Sequence, residues 1–192
     1  MTVPNFLSLI RIFLSPVFVY LFLHKDPMSQ KLSLFIFFIA VLTDWYDGYY
    51  ARKYQAISKT GIFLDPFADK ILTTSAFLVF YFKGMMPHWM LIIIATRDII
   101  ITLLRSYDEF RGLTIKTSKI AKFKTFVQMT YIFSILFLFI LTTPNLLIPD
   151  INYFLFQSTT NYVMMLFVTL ITLYTGISYF FEKRHYLKNE ID

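Results

Sequence analysis

Six apolar runs, near residues 5–24, 32–52, 62–82, 88–107, 123–143 and 153–181, constrain this chain more than any other feature. A helix rises 1.5 Å per residue, so about 20 apolar residues cross the roughly 30 Å hydrocarbon core of a bilayer. The runs are continuous and lack the two-residue alternation of outer-membrane strands, so helices are expected and a β-barrel is not. Composition agrees, because 57% hydrophobic residues and 23 phenylalanines in 192 positions exceed what a soluble core of this size uses. The expected fold is all-α, a polytopic membrane protein with six transmembrane helices. Only short polar stretches separate the runs, so residues 1–192 are read as a single domain. With no cysteine in the sequence, disulfide scaffolds, thiolate metal sites and cysteine nucleophiles are excluded.

The formal charge of +6 is read as basic loops facing anionic lipid, with membrane lipid as the partner and no nucleic acid. Arg52, Lys53 and Lys59 fall in the second connection, Arg111, Lys116, Lys119 and Lys122 around the fourth, and Lys183, Arg184 and Lys188 in the tail. Fewer cations, Lys25, Lys31 and Lys83, mark the first and third connections. This asymmetry predicts that both termini are cytoplasmic. The first run carries Arg11 and lacks a small-residue cleavage site, so it is expected to be a retained helix.

Charged groups inside spanning helices need a partner or a water-filled cavity, and they point to function. Asp44 and Asp47 are three apart on the second run, and Asp65 and Asp69 four apart on the third. Each pair therefore projects from one helical face. If those faces meet, four carboxylates surround one point, and divalent cations among them would favour the ionised form. An all-oxygen donor set selects a hard ion such as magnesium, manganese or calcium. The plainer alternative is pairing of these carboxylates with Arg52, Lys53, Lys59 or Lys70. Gly48 and Ala51 continue the Asp44/Asp47 face with minimal side chains, so either a ligand or a neighbouring helix can approach closely. Arg52 adds a forked cation suited to phosphate. Pro66 follows Asp65, which places the start of the third helix near Gly61, where a missing amide is tolerated.

Written out, Asp44-x2-Asp47-Gly48-x2-Ala51-Arg52-x8-Gly61-x3-Asp65-x3-Asp69 resembles, without gap or substitution, the signature of the CDP-alcohol phosphotransferases. That resemblance implies a six-helix membrane enzyme, a homodimer, that moves a phosphatidyl or related group from a CDP-linked donor to an alcohol and releases CMP. It implies two divalent cations, magnesium or, as the second choice of metal, manganese, held by Asp44, Asp47, Asp65 and Asp69, with Asp69 also the general base. For the donor, CDP-diacylglycerol, it implies contacts from Gly48, Arg52 and Ser58, with Ala51 and Gly61 completing the motif. Asn5-Phe6-Leu7-Ser8 resembles the family's Asn-x-Leu-Thr element near the donor, with Ser8 in place of threonine.

The acceptor is narrowed by Thr96-Arg97-Asp98, Arg105, and Lys122-Phe123-Lys124-Thr125 with Gln128, which look like a pattern in the family's bacterial phosphatidylglycerophosphate synthases. Gly176-Ile177-Ser178-Tyr179-Phe180 resembles the end of the same enzymes. Asp98 stands where they carry glutamate, which keeps the charge on a shorter arm, and Ala121 where they carry glycine. Arg97 and Arg105, eight residues apart, share one face of the fourth helix, and Lys122 and Lys124 begin the fifth. Such a cluster suits a phosphorylated polyol, and the resemblance implies that Arg97, Arg105, Lys122 and Lys124 hold the phosphate of glycerol 3-phosphate. Anchoring by snorkelling cations is the plainer reading. Asp98 is expected to be their salt-bridge partner. The resemblance further implies a cell membrane location with the site toward the cytoplasm. Alternatives are a sibling enzyme using inositol phosphate, or phosphatidylglycerol as in cardiolipin synthases, and, more remotely, a cation transporter.

Overall fold

A computed structural model of the chain describes residues 3–54, 61–111, 118–141 and 158–189. The described residues form six helices and no strand: α1 Val3–Leu23, α2 Pro27–Tyr54, α3 Gly61–Phe82, α4 His88–Phe110, α5 Lys119–Leu141 and α6 Thr159–Asn189. Each coincides with one of the six expected runs.

Local chemistry sets the two tight connections. Asp26 accepts hydrogen bonds from the Ser29 amide at 2.9 Å and its hydroxyl at 3.0 Å, capping α2, and Pro27 occupies the first helical position, where no amide is needed. The Ser29 amide holds the Asp26 carboxyl below its usual pKa. This cap is therefore complete above the ordinary carboxylate range and is lost as pH falls through the depressed value. After α3, Gly84 takes a φ of 74°. Its amide bonds to the Tyr81 carbonyl at 2.9 Å and the Met85 amide to the Phe80 carbonyl at 2.9 Å, the paired closure that a left-handed glycine permits at a helix end. Pro87 then leads into α4.

The packing runs from α2 through α1, α3 and α4 to α6 and α5, with α5 also touching α3. α3 lies at the centre, and no residue from Phe63 to Phe80 is exposed. Phe18, Phe37, Phe77, Phe80, Ile94 and Ile132 belong to one buried cluster, in which the Phe18 and Phe37 rings stand 5.0 Å apart and Phe22 and Phe139 4.6 Å apart. Large apolar side chains also cover the outside: Phe13 is 70% exposed, and Tyr20, Phe126 and Phe181 are each 68% exposed. A surface this apolar suits lipid, not water.

Among the described residues four helices are long and apolar enough to cross a membrane, over Asn5–Leu23, Pro27–Asp44, Lys119–Phe139 and Thr159–Phe181. The other two, α3 and α4, carry Asp65, Asp69 and Lys70, and Arg97, Asp98 and Arg105. Their lower apolarity comes from the very charges that the sequence marks as functional, and α3 is shielded from lipid by its neighbours. The expectation of α2 meeting α3 face to face is modified: the two touch only slightly, and α1 packs extensively against both.

Candidate active site

Two polar side chains of α1 reach the aspartates. The buried Ser8 hydroxyl donates to Asp65 on α3 at 2.5 Å, and the Arg11 guanidinium, itself fully buried, pairs with Asp44 on α2. Arg11 thus links the first two helices beside the aspartate centre. Asp69 accepts a 2.6 Å hydrogen bond from Lys70. Asp44 lies within electrostatic reach of Asp65, Asp69 and Lys70, so three of the four expected carboxylates are gathered in one region. Among the described residues no three acidic or histidine side chains stand close enough to form a closed cage. Of the fourth, Asp47, only the helical backbone is described; the same holds for Gly48, Ala51 and Arg52, and Ser58 lies outside the described residues. The donors present are carboxylate oxygens with one serine hydroxyl, which fits a hard divalent cation, and the Asp44 side chain keeps 45% of its surface accessible. Asn5 and Gly61 are buried at the same end of the bundle, near Ser8 and Asp65 in sequence.

From Asp69 a cleft of about 610 Å³ opens between α3, α4 and α5. Asp69, Lys70, Arg97, Arg105, Glu109 and Lys122 contribute its charged lining. Four cations face two carboxylates, so the cleft attracts an anion. Three of the four expected acceptor cations, Arg97, Arg105 and Lys122, converge here, next to the expected base.

The fourth does not. Lys124 is turned into the bundle, where its ammonium donates to both Asp98 oxygens at 2.6 and 2.7 Å, with each side chain only 1% exposed. Gln128 adds a 3.2 Å hydrogen bond to the same carboxylate and Arg97 a 2.9 Å one. Asp98 is therefore the salt-bridge partner that the sequence implied, and Lys124 belongs to that pair instead of the cleft lining. Lys122 and Lys124 are two residues apart, about 200° around a helix, so one faces the cleft when the other faces the core.

Arg11 and Thr175 bear on this region without having been expected to, while Lys70 meets Asp69 as the plainer pairing alternative had it, and Gly176, marked in the sequence only by the resemblance at its end, packs on Arg97. Arg11 and Lys70 carried a signal, being charges within apolar runs. Thr175 is an ordinary residue for packing membrane helices and nothing in its type marks it, and the resemblance singled out Gly176 without giving it a role.

A family model described as CDP-alcohol phosphatidyltransferase matches residues 1–174. The chain belongs to this family. Curated CDP-diacylglycerol–glycerol-3-phosphate 3-phosphatidyltransferases are similar along most of it. The one from Rickettsia typhi is 30% identical over 92% of this chain and 94% of its own length. The Bacillus subtilis protein is 33% identical over 69% of this chain and 75% of its own, and that of Haemophilus influenzae 40% over 66% and 71%.

Proposed function

We propose that this chain transfers the phosphatidyl group of CDP-diacylglycerol to sn-glycerol 3-phosphate, forming phosphatidylglycerophosphate and CMP. The observation that carries this reading is the single cleft that joins Asp69 to Arg97, Arg105 and Lys122. A neutral alcohol gains nothing from three cations beside the reacting centre, and the ammonium of serine is repelled by them, whereas a dianionic phosphomonoester gains charge-assisted hydrogen bonds without that penalty. The relatives named above are called by this activity, in accord with the charge of the cleft.

In the proposed reaction, Asp44, Asp47, Asp65 and Asp69 would hold two divalent cations, both magnesium or, as the second choice of metal, manganese, which would neutralise the donor's diphosphate. Asn5, Ser8, Gly48, Ala51, Arg52, Ser58 and Gly61 form the donor side. Arg97, Arg105 and Lys122 hold the acceptor phosphate and leave its primary hydroxyl toward Asp69. The Asp69 carboxylate takes the hydroxyl proton as the oxygen attacks the β-phosphorus; the bond from that phosphorus to the CMP oxygen breaks, and CMP leaves. Lys70, bonded to Asp69, keeps that carboxylate oriented toward the cleft.

The reading includes six spans with both termini cytoplasmic, a homodimer in the cell membrane, and the site toward the cytoplasm. Support for the topology comes from the excess of lysine and arginine in the second and fourth connections and the tail. The test is an acceptor panel: purified protein with CDP-diacylglycerol and magnesium, offered glycerol 3-phosphate, inositol phosphate, phosphatidylglycerol or serine, with CMP and lipid product quantified. Glycerol 3-phosphate should be strongly preferred. Preference for another acceptor would move the chain to a sibling activity, and ion flux without CMP would refute transfer.

A further inference from the structure

The sixth helix lines up with the fourth along three successive turns. Thr175 and Gly176 meet Arg97, Tyr179 lies under Arg105 with its ring 5.8 Å from the guanidinium, and the Tyr179 hydroxyl and Lys183 ammonium donate to Asp108 at 3.0 and 2.7 Å. Neither Thr175 nor Gly176 contributes to the cleft that holds Asp69.

At Gly176 the approach is closer than any other residue would allow. A Cβ placed there would stand 2.8 Å from Cγ of Arg97, 3.4 Å from Nε and 3.7 Å from Cδ. The crowded atom is the stem of the arginine. Its tip cannot relieve the clash by bending away, so the side chain would have to leave its χ1 well and carry the guanidinium with it. One residue earlier, the Thr175 hydroxyl spends its proton on the Ile171 carbonyl at 2.9 Å, with the Thr172 carbonyl at 3.0 Å. Its lone pairs are thereby fixed toward Arg97, whose Nη2 donates to Oγ1 at 2.9 Å while Nη1 donates to Asp98 at 2.9 Å. Two of five guanidinium N–H groups are engaged in this way, and further donors remain for an anion in the cleft.

We propose that Thr175 and Gly176 are positioning residues that set the reach of Arg97 into the cleft and thereby the affinity for the phosphorylated acceptor, without touching any substrate. This rests on the reading that the cleft takes a phosphorylated alcohol. Glycine at 176 gives the arginine stem a channel along α6, and Thr175 fixes the direction of the fork.

The test is steady-state kinetics of the full-length protein in lipid–detergent micelles, varying glycerol 3-phosphate and CDP-diacylglycerol separately. Gly176→Ala should raise the KM for glycerol 3-phosphate about tenfold, the scale of one charge-assisted hydrogen bond, and leave the KM for CDP-diacylglycerol nearly unchanged. Thr175→Val should act in the same direction, and Thr175→Ser, which keeps the hydroxyl, should restore the parent value. In an Arg97→Ala background Gly176→Ala should add nothing, because the atoms it would meet are gone. Equal losses for both substrates, an effect that persists without the Arg97 side chain, or silence of both Gly176→Ala and Thr175→Val would overturn the proposal. Should Gly176→Ala fail to fold, the Val and Ser variants at 175 decide alone. Absence of turnover with every phosphorylated alcohol in the unsubstituted protein would refute the proposed function; normal turnover with silent variants would refute the positioning role only.

Discussion

Replacing Asp98 by asparagine should destabilise the protein more than any other single loss of a charge in the fourth helix. The carboxylate is 1% exposed and receives four hydrogen bonds, two from Lys124 and one each from Gln128 and Arg97. Asparagine keeps one acceptor oxygen, but it turns an amide donor toward the Lys124 ammonium and removes the only negative charge bonded to it among the described residues. Breaking a buried pair by removing one partner costs about 3–5 kcal/mol, because the other charge stays behind. At 1.4 kcal/mol per factor of ten, the folding equilibrium should fall by roughly two to three and a half powers of ten. Removing both charges is a different perturbation: Asp98→Asn with Lys124→Met should recover most of the loss, since an uncharged pair of similar volume is often neutral or better. The assay is reversible unfolding in mixed micelles, following helical signal against denaturing detergent for the parent, both single variants and the double variant. A loss below about 1 kcal/mol in Asp98→Asn, or a double variant as unstable as the sum of the singles, would refute the buried-pair argument.

Asp69→Asn should lower kcat by about 10²- to 10⁴-fold, the usual contribution of a general base, and substantial residual turnover would remove Asp69 from that role. Chelation of divalent ions should abolish turnover in the parent and be reversed by magnesium; activity in chelator would refute the metal reading. Arg105→Ala should raise the acceptor KM by about ten- to a hundredfold with the donor KM little changed, measured by CMP release at varied glycerol 3-phosphate. Single cysteines at Ser118 and Met28, in a chain with none of its own, should label from the cytoplasmic and external faces respectively, and the reverse pattern would invert the topology.

The helices were legible because each coincides with an apolar run, and the aspartate motif was legible because carboxylates are costly in such runs. What escaped was set by three-dimensional neighbours. Run length alone groups all six segments together, but α3 is wrapped by other helices and tolerates Asp65, Asp69 and Lys70 for that reason. Periodicity paired α2 with α3 directly, yet it carries no information on which helix packs beside them, and α1 supplies Ser8 and Arg11 to their carboxylates. Lys122 and Lys124 were grouped by closeness in sequence, although two residues on a helix point nearly opposite ways, and burial of Lys124 follows from that rotation. Gly176 could not be read as a spacer for Arg97, since the two residues lie 79 positions apart and meet only through the packing of α4 on α6.

The central claim, transfer at the aspartates to an acceptor held in the adjoining cleft, is tested most directly by the mass balance of one turnover assay. Purified protein receives CDP-diacylglycerol in micelles, with magnesium and glycerol 3-phosphate each present or withheld, and CMP and phosphatidylglycerophosphate are quantified together. CMP and the phospholipid should appear in equal amounts, and only when both metal and acceptor are supplied. CMP released at the same rate without glycerol 3-phosphate, or lipid product formed without divalent metal, would contradict the account.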